Sequence, residues 1–504
     1  MSSLADRLRG MIGPAKAGPH VQPGTHDSRA GLYDPPGHSI HDCGGRLQPA
    51  LCDAADILGG EWRTSRGQKF LIVDRKYSPG YRHGRVAIAD CLPPADGVWP
   101  RFHLLAAGAE IPALHRACGA NPSGSPGGPE RSAPHRKLLF LDLETTGLAG
   151  GAGTYAFLVG CGWFDGATFR LRQFFLSNFG AERALLESVA ELASDTACIV
   201  TYNGKTFDLP LIETRFVLQR MQTPFADMPH VDLLHPARRM WREENDGEGM
   251  DRGEGGCRLA RLERTMCGYQ REGDVPGFEI PSRYFQFVRS GDARSLDAVL
   301  EHNRLDIVSL AMLTARASQL LDDGPSAAAT MREALGMGRL YERAGMTDEA
   351  LQSFSRAADM VGAGAGAGLA CPTKREERSR KTRPYPEICA DETICAEALR
   401  AYATLSRRHR RYEDAATAWR RVLDLRHGPP AIVREATEAL AVHHEHRVRD
   451  LAVARRFALQ SLPLQRTASR EQAARHRLAR LDRKLGGMAV VPAPPDPPLL
   501  PLSF

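Results

Sequence analysis

An apolar run that ends in acidic residues lies in the middle of the chain, at residues 137–147, with the sequence KLLFLDLETTG. It predicts a buried strand that ends in a polar turn. Further along come two strand-like segments, TYAFLVGCGWF and FRLRQFFL, then the helix AERALLESVAEL, the strand ACIVTYN and the helix DLPLIETRFVLQRM. This order predicts an α/β domain with a mixed sheet and flanking helices. The helical pattern SLDAVLEHNRLDIVSLAMLTARASQLL ends the domain, which we place at residues 136–322.

The chain before this domain changes composition twice. Residues 1–46 are rich in Gly, Pro, His and polar residues, which is typical of disorder. Short apolar runs within residues 47–118 predict strands around a turn-rich segment, so we expect a small β-containing module there. Residues 119–135 have the Gly, Pro and Ser content of a linker. The polar stretch at residues 243–256, inside the α/β domain, predicts a surface insertion.

The pattern after residue 325 is helical and repetitive. Small and aromatic residues in LGMGRLYERAGMTDEALQSFSRAADM fall at the spacing of a tetratricopeptide repeat (TPR), and RRYEDAATAWRRVLDL is a weaker copy. We therefore expect a TPR-like helical domain at residues 325–485, with a basic linker near 364–385. The Pro-rich residues 486–504 predict a disordered tail. The repeat slots of the first copy are Gly338, Tyr341, Ala344, Gly345, Ala350, Phe354 and Ala357.

Composition narrows the class of protein. A net charge of +6 over 504 residues permits nucleic-acid binding without requiring it. The eleven cysteines include no CxxC pair, which argues against a disulfide framework or a zinc ribbon and favours reduced thiols in the cytoplasm. The chain has no run of eighteen apolar residues, so no membrane span is expected.

Two acidic residues follow the first apolar run. Asp142 and Glu144 are two residues apart on the predicted strand, so both side chains project to one face. Two carboxylates held side by side repel each other unless a cation lies between them. A D-x-E pair is common, however, and taken alone it is explained more simply by solvated acids at a strand end.

Two later segments carry acids in similar settings. In YNGKTFDLPL, Asp208 opens a helix that follows a strand, and by itself it fits the N-cap of that helix. In EHNRLDI, His302 and Asp306 are four residues apart and share one helix face at the edge of an apolar stripe. By itself this pair fits a solvated His–Asp pair.

Together the three segments resemble the DEDD exonuclease superfamily, in which four acids hold two divalent metal ions. The NGKTFDLPL segment looks most like the proofreading domains of family B DNA polymerases. The stretch 137–320, with TPR-like helices after it, resembles the bacterial YprB-type ribonuclease-H-like proteins. The resemblance covers somewhat over a third of the chain and implies a ribonuclease-H-like fold.

The resemblance also implies a set of site residues and cofactors. Asp142 would bridge two ions, Mg²⁺ or Mn²⁺, which prefer oxygen ligands and act on phosphodiesters in pairs. The same resemblance assigns the rest of the metal shell to Glu144, Asp208 and Asp306.

His302 would orient or deprotonate the attacking water, since the ordinary pKa of histidine lies near neutrality. The superfamily carries Y-x-x-x-D or H-x-x-x-x-D, whereas His302 stands at the tyrosine spacing from Asp306. Its part in proton transfer is therefore less well defined than the metal site. The side chains expected near the nucleic-acid end are Asn203, Lys205 and Phe207, although turn or core roles suit each of them equally, and Asp232 fits either a supporting role or a cap.

Three functional hypotheses follow. The first is a metal-dependent 3′–5′ exonuclease acting on DNA or RNA. The second is a nucleic-acid-binding protein with weak catalysis, against which stands the presence of all four acids. The third is a scaffold whose TPR-like helices bind a protein partner. The basic residues at 374–383 and Arg407–Arg411 favour nucleic acid only weakly, because charge runs are usually solvated faces.

Overall fold

The computed structural model describes residues 54–94, 98–106, 114, 137–147, 151–242, 257–360, 385–464 and 467–486. Several predicted segments lie outside these ranges: the N-terminal segment 1–46, the linker 119–135 and the insertion 243–256. The basic linker 364–385 and the tail 486–504 also lie outside them, apart from residues 385 and 486.

A seven-stranded mixed sheet forms the centre of the α/β domain, in the order β1-β2-β7-β6-β5-β8-β9. The central strand β5 pairs in parallel with β8 and antiparallel with β6, and β9 extends the parallel side. A separate two-stranded sheet joins β3 to β4. The strands are β1 Glu61–Ser65, β2 Gln68–Tyr77, β3 Arg82–His83, β4 Val86–Ala87, β5 Lys137–Thr145, β6 Ala156–Asp165, β7 Thr168–Phe175, β8 Thr196–Thr201 and β9 His230–Asp232.

Both faces of the sheet are covered, as the long apolar runs predict. Successive residues of β5 enter different hydrophobic cores: Phe140 lies in one, and Leu139 and Leu141 lie in the other. This alternation follows from the two-residue period of a strand. The helices that belong to this domain are α1 Glu182–Ala193, α2 Asp208–Leu218, α3 Leu234–Met240, α4 Leu259–Leu262, α5 Ile280–Ser290 and α6 Asp297–Asp323.

The strands expected to form a separate module at residues 47–118 belong in part to the main sheet. Strand β2 pairs antiparallel with β7, from Leu71 opposite Phe175 to Tyr77 opposite Phe169. The four consecutive side chains from Phe70 to Val73 are all buried, so both faces of β2 need cover. A position inside a sheet flanked by helices supplies that cover, whereas a small separate module would leave one face exposed. A separate module is therefore not confirmed.

The described residues after the α/β domain are helical from Met331 to Gly486, as the sequence predicts, and we call them the helical region. Each described helix of this region packs against the next described one. At the slot predicted for a small residue, a side chain on Gly338 would come within 2.5 Å of the Phe354 ring. The helices are α7 Met331–Arg343, α8 Thr347–Asp359, α9 Tyr385–Arg408, α10 Tyr412–Leu423, α11 Pro430–His443, α12 Leu451–Ser461 and α13 Ala468–Gly486.

The helical region is joined to the α/β domain by direct packing of α7 on α3. Trp241 Nε1, just after α3, donates a hydrogen bond of 3.0 Å to Oε1 of the buried Glu333 on α7. The backbones approach closely here, because a Cβ on Gly336 would lie 2.5 Å from the carbonyl oxygen of Arg239.

Two expectations about the environment can be compared with the described residues. None of the helices in these ranges is both long enough and apolar enough to cross a membrane. The cysteines at positions 91, 161, 198, 257, 267 and 395 are buried and form no disulfide bond with one another.

Candidate active site

Strand β5 carries two acids to the end of the sheet. Asp142 and Glu144 alternate with Leu141 and Leu143, which are buried in the core. Both carboxylates therefore lie on the face opposite these leucines, as the spacing predicts. Glu144 is itself buried, and the pairing of β5 with β6 becomes irregular just after it, where the strand ends.

The turn between β8 and α2 positions the next acid. Asn203 adopts the left-handed backbone conformation, with φ of 67°, and the chain turns back to begin α2 at Asp208. The carboxylate of Asp232 fixes the turn by accepting hydrogen bonds from the backbone N–H groups of Asn203 at 2.7 Å and Lys205 at 3.1 Å. Asp232 also accepts a hydrogen bond from Leu234 N at 3.1 Å, so it anchors both the turn and the first residue of α3.

Helix α6 brings the last acid to the same place. Asp142, Asp208 and Asp306 line one cleft of about 260 Å³, although they are far apart in the sequence. The side chain of Phe207 lies at the rim of this cleft and is 56% exposed. The remaining lining residues are Tyr202, Asn203, Leu234 and Leu259.

The carboxylates of the cluster perturb one another. Burial, and then the nearby negative charges of Asp306 and other acids, raise the pKa values of Asp142 and Glu144 well above those of ordinary carboxyl groups. Burial, followed by the charges of Asp232 and Asp306, raises the pKa of Asp208 to about 7. These four acids thus form one electrostatic unit that disfavours full ionisation unless positive charge is added.

An amide holds Asp142 in position. Asn303 is fully buried on α6 and its Nδ2 donates a hydrogen bond of 2.7 Å to Oδ2 of Asp142. Gln173 Nε2 on β7 donates a bond of 2.9 Å to Oδ1 of Asn303, which fixes the orientation of the amide. Gly160 on β6 leaves the space that Asn303 fills, since a Cβ there would lie 2.2 Å from the Asn303 oxygen.

One buried guanidinium enters the cluster. Arg271 Nη2 lies 2.5 Å from Oδ1 of Asp306, and Arg271 Nε lies 2.6 Å from Oε2 of Glu263. Glu263 is fully buried and is held in turn by Ser309 Oγ, which donates a 2.5 Å bond, and by His83 Nε2 at 2.7 Å. A chain of polar contacts therefore runs from the β3–β4 hairpin to an acid of the cleft.

His302 lies between two carboxylates. Its Nδ1 is 2.6 Å from Oδ1 of Asp274, and its Nε2 is 3.5 Å from Oδ2 of Asp306. Burial alone would lower the pKa of His302, but the hydrogen bond to Asp274 and the charges of both acids outweigh it, so the pKa is raised above the ordinary value. Asp274 thus orients the ring and favours its protonated form.

The residue types of the cluster fit divalent cations such as Mg²⁺ or Mn²⁺, which prefer carboxylate oxygens. The raised carboxyl pKa values are what an acid cluster shows when it lacks balancing cations. Within the described residues, however, no group of three or more His, Cys, Asp or Glu side chains is arranged closely enough to hold an ion. Binding would therefore require side-chain movement, and because Oδ1 of Asp306 is bonded to Arg271, Oδ2 is the oxygen that Asp306 would offer to an ion.

The structure brings most of the residues singled out from the sequence together. Asn203 and Phe207 line the cleft with the three aspartates, and Glu144 and His302 lie beside it. Lys205 is held by its backbone in the turn, and its side chain does not line the cleft. Sequence reasoning missed the residues that support the acids. They are Asn303, Arg271, Asp274, Glu263 and His83.

Two comparisons with known proteins bear on this site. Residues 139–318 match the model of the RNase_H superfamily, a span that contains Asp142, Glu144, Asp208 and Asp306. The chain is also similar to the uncharacterized protein YprB of Bacillus subtilis (strain 168), with 36% identity over 220 residues. That alignment covers 44% of this chain and 51% of the relative, so the chain spans about half the length of the protein it matches. The similarity to the RNase_H superfamily thus covers residues 139–318, somewhat over a third of the chain.

Proposed function

We propose that this protein is a metal-dependent 3′–5′ exonuclease that hydrolyses phosphodiester bonds of DNA or RNA. The observation that carries the proposal is the convergence of Asp142, Asp208 and Asp306 on one solvent-accessible cleft, with Glu144 buried beside them. A cluster of buried carboxylates destabilises the folded protein by itself, because the charges repel one another. Cations that bind between the carboxylates offset that cost. The RNase_H superfamily match over the same residues supports nucleic acid as the substrate class.

The four acids Asp142, Glu144, Asp208 and Asp306 would hold two divalent ions. Such ions supply charge neutralisation for the phosphate and activation of water. Asn303 contributes by fixing one oxygen of Asp142, so that the other remains available to ligands. Orienting a ligand in this way through a neighbouring hydrogen bond is a common feature of metal sites.

His302 would move the proton of the attacking water, because its Nε2 is the ring nitrogen that faces Asp306 and the cleft acids. Asp274 holds the opposite nitrogen and stabilises the imidazolium that forms when His302 accepts that proton. The direction of the ring is therefore set before a substrate enters.

Two residues at the rim of the acid cleft support hydrolysis near the end of a nucleic-acid strand. The exposed ring of Phe207 offers a face on which a terminal base can stack, as aromatic side chains do in single-strand-binding sites. Asn203, held in its left-handed conformation beside the cleft, offers polar groups to the sugar or base. These two residues would position the last nucleotide over the acid cluster.

The test compares wild type with Asp142→Asn and with Asp227→Asn, a control that changes an exposed acid outside the cleft. Single- and double-stranded DNA and RNA, labelled at the 5′ end, are incubated with Mg²⁺, Mn²⁺ or EDTA. We expect a ladder of progressively shorter labelled products with metal, loss of activity in EDTA and Asp142→Asn, and normal activity in Asp227→Asn.

Calorimetry with Mn²⁺ gives a readout that does not depend on turnover. Asp142→Asn should lose most of the metal binding seen in wild type. Equal binding by both proteins would refute the assigned site. Nucleic-acid binding without cleavage under all metal conditions would instead favour the weakly catalytic binding protein, and internal cuts without a ladder would refute exonuclease action.

A further inference from the structure

A second concave site lies in the helical region, outside the acid cleft. It has a volume of about 860 Å³ and is lined by residues from α9 through α13. Small side chains such as Ala431, Ala439, Ala473 and Ala474 form part of its wall and leave it wide. We call this site the arginine groove, because its most frequent charged residue is arginine.

The charge of the arginine groove is strongly positive. Six arginines line it, against two glutamates. Small-molecule pockets are usually apolar with a few polar groups, so this lining is unusual for a metabolite site. It matches the basic grooves that follow the backbone of a polyanion. The arginines are Arg400, Arg407, Arg434, Arg447, Arg470 and Arg477, and the glutamates are Glu435 and Glu438.

Ion pairs among the described residues leave most of this charge unbalanced. Arg400 pairs with Glu435, with 2.5 Å between Nε and Oε2. In contrast, the side chains of Arg407, Arg434 and Arg470 form no hydrogen bond or ion pair within the part of the chain that the structure describes. Several guanidinium groups therefore share one concavity with free donors, an arrangement that an anionic ligand would stabilise.

A stacking contact fixes the side chain of one further arginine of the groove. Arg447 stacks on the ring of Tyr412, with its Cζ 3.8 Å from the ring centroid. This contact uses the face of the guanidinium and leaves its N–H groups at the edge available. Arg447 is exposed, so these donors can reach a ligand in the groove.

We propose that the arginine groove binds a single strand of nucleic acid through its phosphates. The ligand class rests on the proposed function, since the same chain carries the acid cluster. The geometry of the ligand rests on the groove: planar guanidinium groups match phosphate oxygens in a forked arrangement. A strand that offers a phosphate at each nucleotide can engage several arginines in succession.

The test uses the full chain in EDTA, which prevents cleavage and leaves the acid cleft without balancing cations. Binding of fluorescein-labelled dT20 and U20 is measured by anisotropy at several salt concentrations. The groove variant is Arg434→Glu with Arg470→Glu. The matched control is Arg426→Glu with Arg483→Glu, which changes the net charge equally at exposed arginines of the same region outside the groove.

We expect the groove variant to bind dT20 and U20 at least about tenfold more weakly than the control variant does. The slope of the logarithm of the association constant against the logarithm of the salt concentration should be smaller by about 1.4, which corresponds to two lost phosphate contacts of a single strand. The milder double variant, Arg434→Gln with Arg470→Gln, should show an effect of the same order. It is used in place of the double Glu variant if circular dichroism shows that the double Glu variant does not fold.

Equal affinities of groove and control variants would overturn the proposal. Stronger competition by poly-glutamate than by unlabelled dT20 at equal charge would also overturn it and would point to an acidic protein partner. Because binding is measured without metal, loss of the groove effect and loss of nuclease activity are separate results. A protein that binds dT20 through the groove but cleaves nothing would refute the proposed exonuclease and keep this inference.

Discussion

The side-chain amide of Asn303 donates a hydrogen bond of 2.7 Å to Oδ2 of Asp142, from helix α6 to strand β5. We predict that Asn303→Ala lowers the nuclease rate and the affinity for Mn²⁺ by about 10–100-fold, the usual effect of removing a group that orients a metal ligand. The free energy of unfolding should fall by about 1–3 kcal/mol, because the amide is buried and Gln173 loses its partner there. Rate, metal affinity and melting temperature are measured on one preparation.

The variant Asn303→Asp distinguishes the effect of side-chain shape at position 303 from the effect of its charge on Asp142. The substitution keeps the size of the side chain but places another carboxylate beside Asp142. We expect it to impair metal-free stability more than its size would suggest, because like charges repel strongly in a buried site. An Asn303→Ala variant with unchanged rate and metal affinity would show that Asp142 needs no help in its orientation.

The pair formed by His302 and Asp274 leads to a second prediction. His302→Ala should lower the turnover rate by about 10²–10⁴-fold, the usual share of general acid–base catalysis, with little change in Mn²⁺ affinity. Asp274→Asn should have a smaller effect on rate. It should also move the limb of the pH–rate profile that reports His302 to lower pH, since Asp274 helps to keep the pKa of His302 raised.

A structural role for His302 predicts a different result. If His302 only stabilises α6 and the segment around Asp274, His302→Ala lowers the melting temperature while the folded fraction keeps its rate. Parallel measurement of both quantities distinguishes these outcomes. A pH–rate limb that does not move in Asp274→Asn would also contradict the proposed proton transfer.

The acids of the site were predictable because each lies in a local pattern. Asp142 and Glu144 end an apolar strand, Asp208 begins a helix after a strand, and Asp306 lies at the edge of an apolar helix stripe. The three aspartates Asp142, Asp208 and Asp306 line one cleft, and the metal-binding roles of all four acids stay a prediction.

The supporting residues could not be found in this way. Arg271 and Asp274 lie in an irregular segment, where no hydrophobic period marks a direction. Only tertiary packing brings them beside Asp306 and His302. The position of β2 was hidden for a related reason: its apolar run predicts a strand, but its pairing with β7 joins residues about a hundred positions apart, which no local signal encodes.

His230 gives a prediction about pH and stability. Burial, followed by the nearby charges of Lys205 and His235, lowers the pKa of His230 to about 3, and its Nε2 lies 2.8 Å from Thr201 Oγ1. A histidine whose folded pKa is depressed binds its proton only after unfolding, so its contribution to stability is lost as the pH falls below about 6.5. Between pH 7 and 5 the loss should be about 2 kcal/mol.

The comparison of variants isolates this contribution from that of other titrating groups. His230→Asn should be less sensitive than wild type to acidification from pH 7 to 5 in urea unfolding experiments. His476→Asn, which changes an exposed histidine on α13, should behave as wild type. An identical pH dependence in wild type and His230→Asn would show that His230 does not titrate on unfolding in this range.

The contact between the α/β domain and the helical region leads to the last prediction. A Cβ on Gly336 would lie 2.5 Å from the carbonyl oxygen of Arg239 and 2.8 Å from Cα of Met240. Both are backbone atoms, so neither can move aside as a flexible side chain can. Gly336→Ala should therefore force α7 away from α3 and cost about 1–3 kcal/mol, as overpacking usually does. The shift should also strain the hydrogen bond from Trp241 to Glu333.

Gly80→Ala is the matched control, because a Cβ at Gly80 meets no atom within 4 Å. We expect Gly336→Ala to lower the melting temperature, to change the tryptophan fluorescence and to speed proteolysis between α6 and α7, where the chain passes between the two regions. The control should change none of these. The effect on nuclease rate should be small, since α7 does not line the acid cleft. Normal stability in Gly336→Ala would mean that the two backbones are not in close contact in solution, and the helical region would then be free to move relative to the α/β domain.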